Sequence, residues 1–350
     1  MSLNGLLLQV SLYLSFQMIV VLSYNGDVAT NEVMDWLHYF RCDYKRINLS
    51  DEDYKKISLE IHDDECKLQL QLHNDDILDV NEVSFFLYRG GQFVFDTKSC
   101  YSKQLPHAIA AAHQKYEFET LTKFFYKEVS KKCLGNPLYN PLNKLEQLKL
   151  AGELGIKVPN TFIGSSKSQF YNSILKDQQS YITKSIQENI LNGSQSTGYD
   201  LKVNQVHASE LEEYFFPSLF QENLEKSIEI RSFYLNGKFY SIGMLTSANE
   251  TCDVDFRSSI GNLRYCKYTL PDMVENKLHQ LMLSLGLNTG SIDLILTNNG
   301  EYIFLEVNQT GQFGWVSDFG NYYIEREIAQ FLTKKEIEYA KYKRCKSRAC

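Results

Sequence analysis

The segment Ser291 to Gln312, SIDLILTNNGEYIFLEVNQTGQ, leaves the chain few ways to fold. Ile292, Leu294 and Leu296 alternate with Ser291, Asp293 and Ile295. After Asn298-Asn299-Gly300, the residues Tyr302, Phe304, Glu306 and Asn308 recur at period two. The pattern predicts two antiparallel strands. Asn-Gly is the preferred two-residue hairpin loop, because both positions tolerate positive φ. With Asn299-Gly300 as that loop, Asp293 falls directly across from Glu306, and Asn308 shares the face of Glu306. Two carboxylates opposed across a ladder repel unless positive charge lies between them. A hard divalent ion held by oxygens of Asp293, Glu306 and Asn308 meets that need. Magnesium takes one or two carboxylates and leaves room for phosphate oxygens. A solvated hairpin face is the plain alternative.

A chain of 350 residues has room for two or three domains. With 43% hydrophobic and 23% charged residues it is an ordinary globular sequence, not a disordered one. A net charge of −7 argues against a broad nucleic-acid-binding face. None of the eight cysteines forms a C-x-x-C pair and no histidine pair has zinc-ligand spacing, so reduced thiols in the cytoplasm are expected. Leu6 to Ser23 is largely apolar, as in a signal segment or an anchor. It lacks a basic flank and a small-residue cleavage site, and Ser11, Ser15 and Gln17 interrupt it. Met18 to Ser23 reads instead as a buried parallel strand opening an α/β domain. Residues 1–17 are then an extension, and no membrane segment is expected.

From that strand the chain runs into a helix over Thr30–Phe40 and strands at Tyr44–Asn48, Ser58–Ile61, Lys67–Leu72 and Val83–Tyr88. No Gly-x-Gly-x-x-Gly follows the first strand, so a dinucleotide site is not supported. Leu105–Lys132 is mostly helical, and the two-proline segment at Cys133 marks a boundary. Beyond it come a helix over Leu142–Leu154, a strand at Thr161–Gly164, a helix at Lys167–Leu175 and a strand at Tyr181–Ile186 carrying Lys184. The loop Asn192–Gly198, with Ser194 and Ser196, either lays backbone amides over phosphate oxygens or is a mobile hairpin tip. A short helix is expected at Ser209–Phe216, then strands at Leu219–Leu224, Ser227–Leu235 and Lys238–Leu245, with Asn236-Gly237 a hairpin loop. A helix at Asp272–Leu285 precedes the opening hairpin. A last amphipathic helix at Tyr322–Leu332 leads to a basic tail, Lys334–Cys350, expected to be a helix that frays at its end.

Several residues point to one chemistry. Lys184 can neutralise a phosphate, although a lone lysine is more often a surface charge. Gln221, Glu222 and Leu224 lie where an alternating strand presents backbone edges to a purine. Glu229 can bridge ribose hydroxyls. The guanidinium of Arg257 suits a γ-phosphate or an acyl phosphate.

In this order the motifs resemble the ATP-grasp superfamily of carboxylate–amine ligases. The resemblance is carried by Asn143-Lys144, Tyr181-Ile-Thr-Lys184, Phe220-Gln-Glu-Asn-Leu-Glu225, Glu229-Ile-Arg231, Asp255-Phe-Arg257, Ser291-Ile-Asp293 and Phe304-Leu-Glu-Val-Asn308. Within the superfamily the chain looks most like the peptide maturases that make graspetides, of the grasp-with-spasm group. Ile19-Val-Val-Leu-Ser, Thr30-Asn-Glu-Val-Met-Asp-Trp-Leu37, Tyr44-Lys-Arg-Ile-Asn48 and Phe86-Leu-Tyr-Arg89 carry that part. A double arginine of related enzymes is here Arg89-Gly90.

The resemblance implies an α/β (α+β) ATP-grasp architecture. A pre-ATP-grasp domain would span 18–135, followed by ATP-grasp subdomains at 136–217 and 218–333 and a basic tail at 334–350, with the nucleotide between the subdomains. It implies ATP and Mg2+ as cofactors. Lys144 and Lys184 would contact phosphates, with Ser194 and Ser196 in the covering loop. Gln221, Glu222 and Leu224 would hold the adenine, and Glu229 the ribose. Asp293, Glu306 and Asn308 would bind magnesium, and Arg257, Lys184 and Arg231 would act in catalysis. Arg264 and Arg89 are candidate substrate contacts. The implied reaction makes an acyl phosphate on an Asp or Glu side chain of a ribosomal precursor peptide. A Ser or Thr hydroxyl or a Lys amine then condenses with it. The partner is that leader-and-core peptide, in the cytoplasm, and a homodimer is left open. A ligase that adds amino acids to a terminus and a silent nucleotide- or peptide-binding protein on the same scaffold are the alternatives.

Overall fold

In the computed structural model, Ile19, Val20, Val21 and Leu22 are completely buried, which makes β1 (Ile19–Ser23) a central strand covered on both faces. The structure describes residues 18–51, 54–94, 106–138, 142–173, 181–186, 191–192, 198–199, 204–206, 208–245 and 264–349. These fall into two units, Met1–Asn140 with Tyr323–Cys350, and Pro141–Tyr322.

In the first unit, helix α1 (Val28–Tyr39) follows β1. The Asp27 carboxylate caps it by accepting from the Thr30 amide, and Thr30, Val33 and Leu37 form its buried stripe. Then come β2 (Tyr44–Asn48), a three-stranded antiparallel sheet of β3 (Tyr54–His62), β4 (Glu65–Leu72) and β5 (Ile77–Asp79), β6 (Phe85–Tyr88), α2 (His107–Ser130) and β7 (Cys133–Leu134). A parallel sheet runs in the order β2-β1-β6-β7. Its core joins Val20, Leu22 and Phe86 to Leu68 and Leu70 of the antiparallel sheet and Phe125 and Val129 of α2.

The second unit opens with α3 (Lys144–Glu153), capped by the Asn143 side chain. An antiparallel sheet β12-β9-β13-β8 follows. Its strands are β8 (Thr161–Ser166), β9 (Tyr181–Lys184), β12 (Asn204–Val206) and β13 (Tyr214–Glu222); between them in the chain come the short helix α4 (Lys167–Tyr171) and a separate two-stranded ladder of β10 (Leu191–Asn192) and β11 (Gly198–Tyr199). The helix expected at Ser209–Phe216 is a single 3-10 turn at Ala208–Glu210, and β13 has begun by Tyr214. The aromatic run Tyr214-Phe215-Phe216 favours a strand. Pro217, which cannot donate to a ladder, falls where the β13 register shifts.

The larger sheet runs β16-β15-β14-β17-β18, antiparallel throughout: β14 (Lys226–Leu235), β15 (Lys238–Leu245), β16 (Arg264–Tyr268), β17 (Thr289–Thr297) and β18 (Tyr302–Asn308). Helix α5 (Asp272–Ser284) packs Leu278, Leu281 and Met282 into its core beside Ile230, Ile292 and Leu294. After β18 comes α6 (Gly314–Gly320). The chain then returns to the first unit as α7 (Ile324–Ala349), in which the expected helix to Leu332 and the expected helical tail from Lys334 run on as one continuous helix.

The β17–β18 hairpin departs from its expected form twice. Its loop has three residues, Asn298-Asn299-Gly300, with Thr297 N donating to Glu301 O at 3.0 Å. Only Gly300 takes positive φ, at 81°. The ladder therefore starts one residue out of the expected register, pairing Leu296 with Tyr302 and Leu294 with Phe304. A bulge at Leu305 then absorbs one residue, so that Asp293 does stand opposite Glu306, and Ser291 opposite Asn308. The bulge also corrects the expectation of one shared face. Phe304 joins Ile292, Leu294 and Val307 in the core, whereas Glu306 and Asn308 lie on the other side with Asp293.

Candidate active site

On that other face, register places Arg231 of β14 directly beside Asp293. Arg231 Nη1 donates to both carboxylate oxygens of Asp293. Glu306 is engaged by Lys144 at the start of α3, whose Nζ lies 2.5 Å from Oε2. The helix is indexed on the strand by Gln147, one turn further along. Its Oε1 accepts the Val307 amide at 2.6 Å and its Nε2 donates to Val307 O at 3.2 Å. Lys184, at the end of β9, completes the cluster electrostatically.

The titration behaviour reflects this crowding. Burial pushes the Asp293 carboxyl above its ordinary value, against the pull of Arg231 and with the repulsion of Glu306. Burial opposes ionisation of Glu306 too, but Lys144, Lys184 and Arg231 together hold it below the usual range. Burial and repulsion from Lys144 lower the Lys184 ammonium to about 8, against the attraction of Glu306 and Asp293. Two carboxylates with three cations leave a local excess of positive charge in a chain whose formal net charge is −7, the balance a polyphosphate needs.

The flanking candidates are also occupied. Glu229 is paired with Lys226. The Glu222 carboxylate accepts from Asn160 N and Nδ2, both at 2.9 Å, and Leu224 lies half-buried in the turn before β14. Gln221 is buried and donates to Thr161 Oγ1 at 2.8 Å. Its Oε1 is buried with no hydrogen-bond partner among the described residues, an arrangement costing about 1–3 kcal/mol. It lies on the same sheet face as Lys184 and Ile182, so a donor supplied by a bound ligand would satisfy it.

No protein-family model and no curated protein matches this sequence. Solved structures do. A RiPP-associated ATP-grasp ligase from Chryseobacterium gregarium, in complex with ADP and a leader and core peptide, is 21% identical over 91% of this chain and 97% of its own, with a TM-score of 0.75. The macrocyclase MdnB from Microcystis aeruginosa MRC is 22% identical over 90% of this chain and 99% of its own, at 0.66. The ATP-grasp ligase PsnB, complexed with minimal precursor, Mg and ADP, is 14% identical over 91% and 98%, at 0.64.

The chain has the ATP-grasp fold.

Within that ATP-grasp fold the structure brings Lys144, Lys184, Arg231, Asp293 and Glu306 together. Asp293 and Glu306 supply the hard oxygens that suit magnesium. Asn308 lies on the right face, but its Oδ1 accepts the amides of Thr310 and Gly311, both at 3.1 Å, so it also ties down the following turn. Arg264 is exposed and pairs with Leu245, which by alternation puts it on the sheet face opposite to Arg231. Arg89 belongs to the first unit, where it is buried with Nε 3.5 Å from Asp27 Oδ2. Arg257, Ser194 and Ser196, and residues 193–197 of the expected covering loop, lie outside the described residues, as do residues 1–17.

Sequence reasoning missed Trp315, half-buried on α6, with the Arg231 guanidinium carbon 5.8 Å from its ring centroid. The signal was the aromatic pair in Gln312-Phe313-Gly314-Trp315, close behind Asn308. Among the described residues no helix is long and apolar enough to cross a membrane, and Cys42, Cys66, Cys133, Cys266 and Cys345 are free thiols.

Proposed function

We propose that this protein is an ATP-dependent, ADP-forming peptide macrocyclase of the graspetide type. It would activate Asp or Glu side chains of a ribosomal precursor peptide as acyl phosphates and condense them with Ser or Thr hydroxyls or Lys amines. The observation that carries the reading is the Asp293–Glu306 pair, registered across the β17–β18 bulge and ringed by Arg231, Lys144 and Lys184 in an ATP-grasp fold.

Asp293 and Glu306, with Asn308 as a third oxygen, would hold Mg2+, which when bound offsets charge on the phosphate oxygens. Lys144 and Lys184 would bind phosphates. The backbone at Glu222 and Leu224 would hold the adenine, with Gln221 Oε1 accepting from its exocyclic amine, and Glu229 would hold the ribose. Arg231 would orient the carboxylate being phosphorylated, so that positioning and preorganised charge supply most of the acceleration. Arg257 would steady the transferred phosphoryl group. Ser194 and Ser196 would cover the phosphates, and excluding water there would protect the acyl phosphate from hydrolysis. The expected compartment is the cytoplasm, where ribosomal peptides and ATP meet.

The domain assignment follows the same reading, with a pre-ATP-grasp domain at 18–135 and ATP-grasp subdomains at 136–217 and 218–333. Mass spectrometry of a candidate precursor incubated with protein, ATP and Mg2+ tests the function. Cyclisation lowers the mass by about 18 Da of water per bond formed, whereas amino-acid addition raises it. ADP formation with a mass gain, or no ADP at all, would reject the macrocyclase reading.

A further inference from the structure

Arg231 is the one guanidinium placed against the Asp293 carboxylate among the described residues, and three observations bear on how it is held. It donates to Asp293 through Nη1, while its buried Nε has no hydrogen-bond partner among the described residues. Its guanidinium lies over the Trp315 ring, 5.8 Å from the centroid. Trp315 in turn sits in an aromatic stack. Tyr265 meets it edge-on at 6.1 Å, and Phe319 stacks flat on Tyr265 at 4.0 Å with 4° between the planes.

The segment that carries Trp315 is itself anchored. Asn308 Oδ1 accepts the Thr310 and Gly311 amides, and Phe313 is fully buried with its ring 5.1 Å from Phe233. The strand that bears Glu306 thus leads directly into the wall behind Arg231. A cation that takes the Asp293 carboxylate competes with Arg231 for the same oxygens. If Asp293 were the only partner, the guanidinium would then be released from the site. The ring face offers a second partner that a metal ion does not compete for, because it attracts the cation through its quadrupole rather than through a lone pair.

We propose that Trp315 is a positioning residue, the fixed seat of Arg231. It keeps the guanidinium in the site when a divalent cation occupies Asp293, so that Arg231 then receives the phosphoryl or acyl-phosphate oxygens. This rests on the nucleotide-site reading above and adds a residue to it. The buried Nε donor has no competing hydrogen bond among the described residues.

The test uses the whole chain, Mg·ADP and inorganic orthophosphate, with Trp315→Leu, Trp315→Phe and Arg231→Lys. Calorimetry gives the Mg·ADP affinity first, then the affinity of the Mg·ADP complex for orthophosphate. Trp315→Leu is expected to keep the Mg·ADP affinity within about twofold and to weaken orthophosphate about threefold to tenfold, whereas Trp315→Phe, which keeps an aromatic face, restores it to within about twofold. Emission of the wild type minus that of Trp315→Phe isolates Trp315 from Trp36, the other of the two tryptophans. That difference should change on adding Mg·ADP, and should not do so in Arg231→Lys, which lacks the planar group. Orthophosphate binding unchanged in Trp315→Leu would overturn the proposal. So would equal losses in the Leu and Phe variants, a joint loss of Mg·ADP and orthophosphate in Trp315→Leu, or an emission difference insensitive to bound Mg·ADP. Failure of the wild type to bind Mg·ADP would reject the nucleotide-site reading itself.

Discussion

The large sheet contains two hairpins built on the same dipeptide, and they behave differently. In β14–β15, Asn236 and Gly237 both take positive φ, at 45° and 95°, and make a two-residue loop. The register then runs unbroken from Leu235–Lys238 to Glu229–Met244. In β17–β18, Asn299-Gly300 belongs to a three-residue loop. There the Glu301 amide also donates to Thr297 Oγ1 at 3.1 Å, a side-chain partner that helps fix the wider turn. The regular hairpin keeps one face to the core along its length. The irregular one changes phase at Leu305, and so gives Phe304 to the core and Glu306 to the site from a single strand. Glu306 is brought beside Asp293 and Lys144 here by interrupting the alternation.

Removing the interruption should have the largest effect. Deleting Leu305 forces either Phe304 out of the core or Glu306 into it. Loss of measurable Mg·ADP binding by calorimetry is expected, with a fall of about 3 kcal/mol or more in denaturant stability. A deletion variant that still binds Mg·ADP would remove the functional meaning of the bulge. Next come the two carboxylates. Asp293→Asn and Glu306→Gln should each weaken Mg2+-dependent ADP binding by about a hundredfold while the protein stays folded. Asp293→Asn also strands the mostly buried Arg231 and should cost about 2–3 kcal/mol. Glu306 is more exposed, at 35% against 22%, so Glu306→Gln should cost less.

Lys184 supplies a smaller, pH-dependent effect. Above about 8 the free protein loses this charge, and phosphate must recover the proton in order to bind beside it. ADP affinity should therefore fall by up to about tenfold per pH unit above that point, and Lys184→Met should flatten the profile. Stability should move the other way. The unfolded chain keeps the proton up to the ordinary lysine value of 10.5, so between about 8 and 10.5 the native state binds fewer protons and this group's contribution rises. Smallest of all, Gly237→Ala and Gly300→Ala should each cost about 1 kcal/mol, because φ is 95° and 81° there, with Mg·ADP affinity unchanged within about twofold.

Local pattern reaches far into this structure, but unevenly. The buried strand Ile19–Ser23 follows from its continuous apolar run and the Asn236-Gly237 turn from turn chemistry, and the expected opposition of Asp293 to Glu306 is present. That opposition arises from two compensating shifts. An uninterrupted alternation over Tyr302, Phe304, Glu306 and Asn308 gives no local sign of a bulge, since side chains reveal their faces only against a core. Over Ser209–Phe216 the polar early residues suggest a helix, whereas pairing of Tyr214 with Ser166 of β8 starts a strand instead. Arg231 beside Asp293 depends on the register of β14 against β17, a contact between segments distant in sequence. Trp315 was invisible for the same reason.

The Gln147 amide has one more consequence. As the last strand of its sheet, β18 would show a row of unpaired backbone groups. Instead Gln147 takes both polar groups of Val307, and Lys157 O accepts the Phe304 amide at 2.8 Å. The strand that carries Glu306 is therefore closed to strand exchange with a neighbouring molecule along these residues. In a crowded solution this edge is guarded against aggregation partly by the helix that also delivers Lys144, so one side chain, Gln147, serves both colloidal protection and the placing of Lys144 against Glu306.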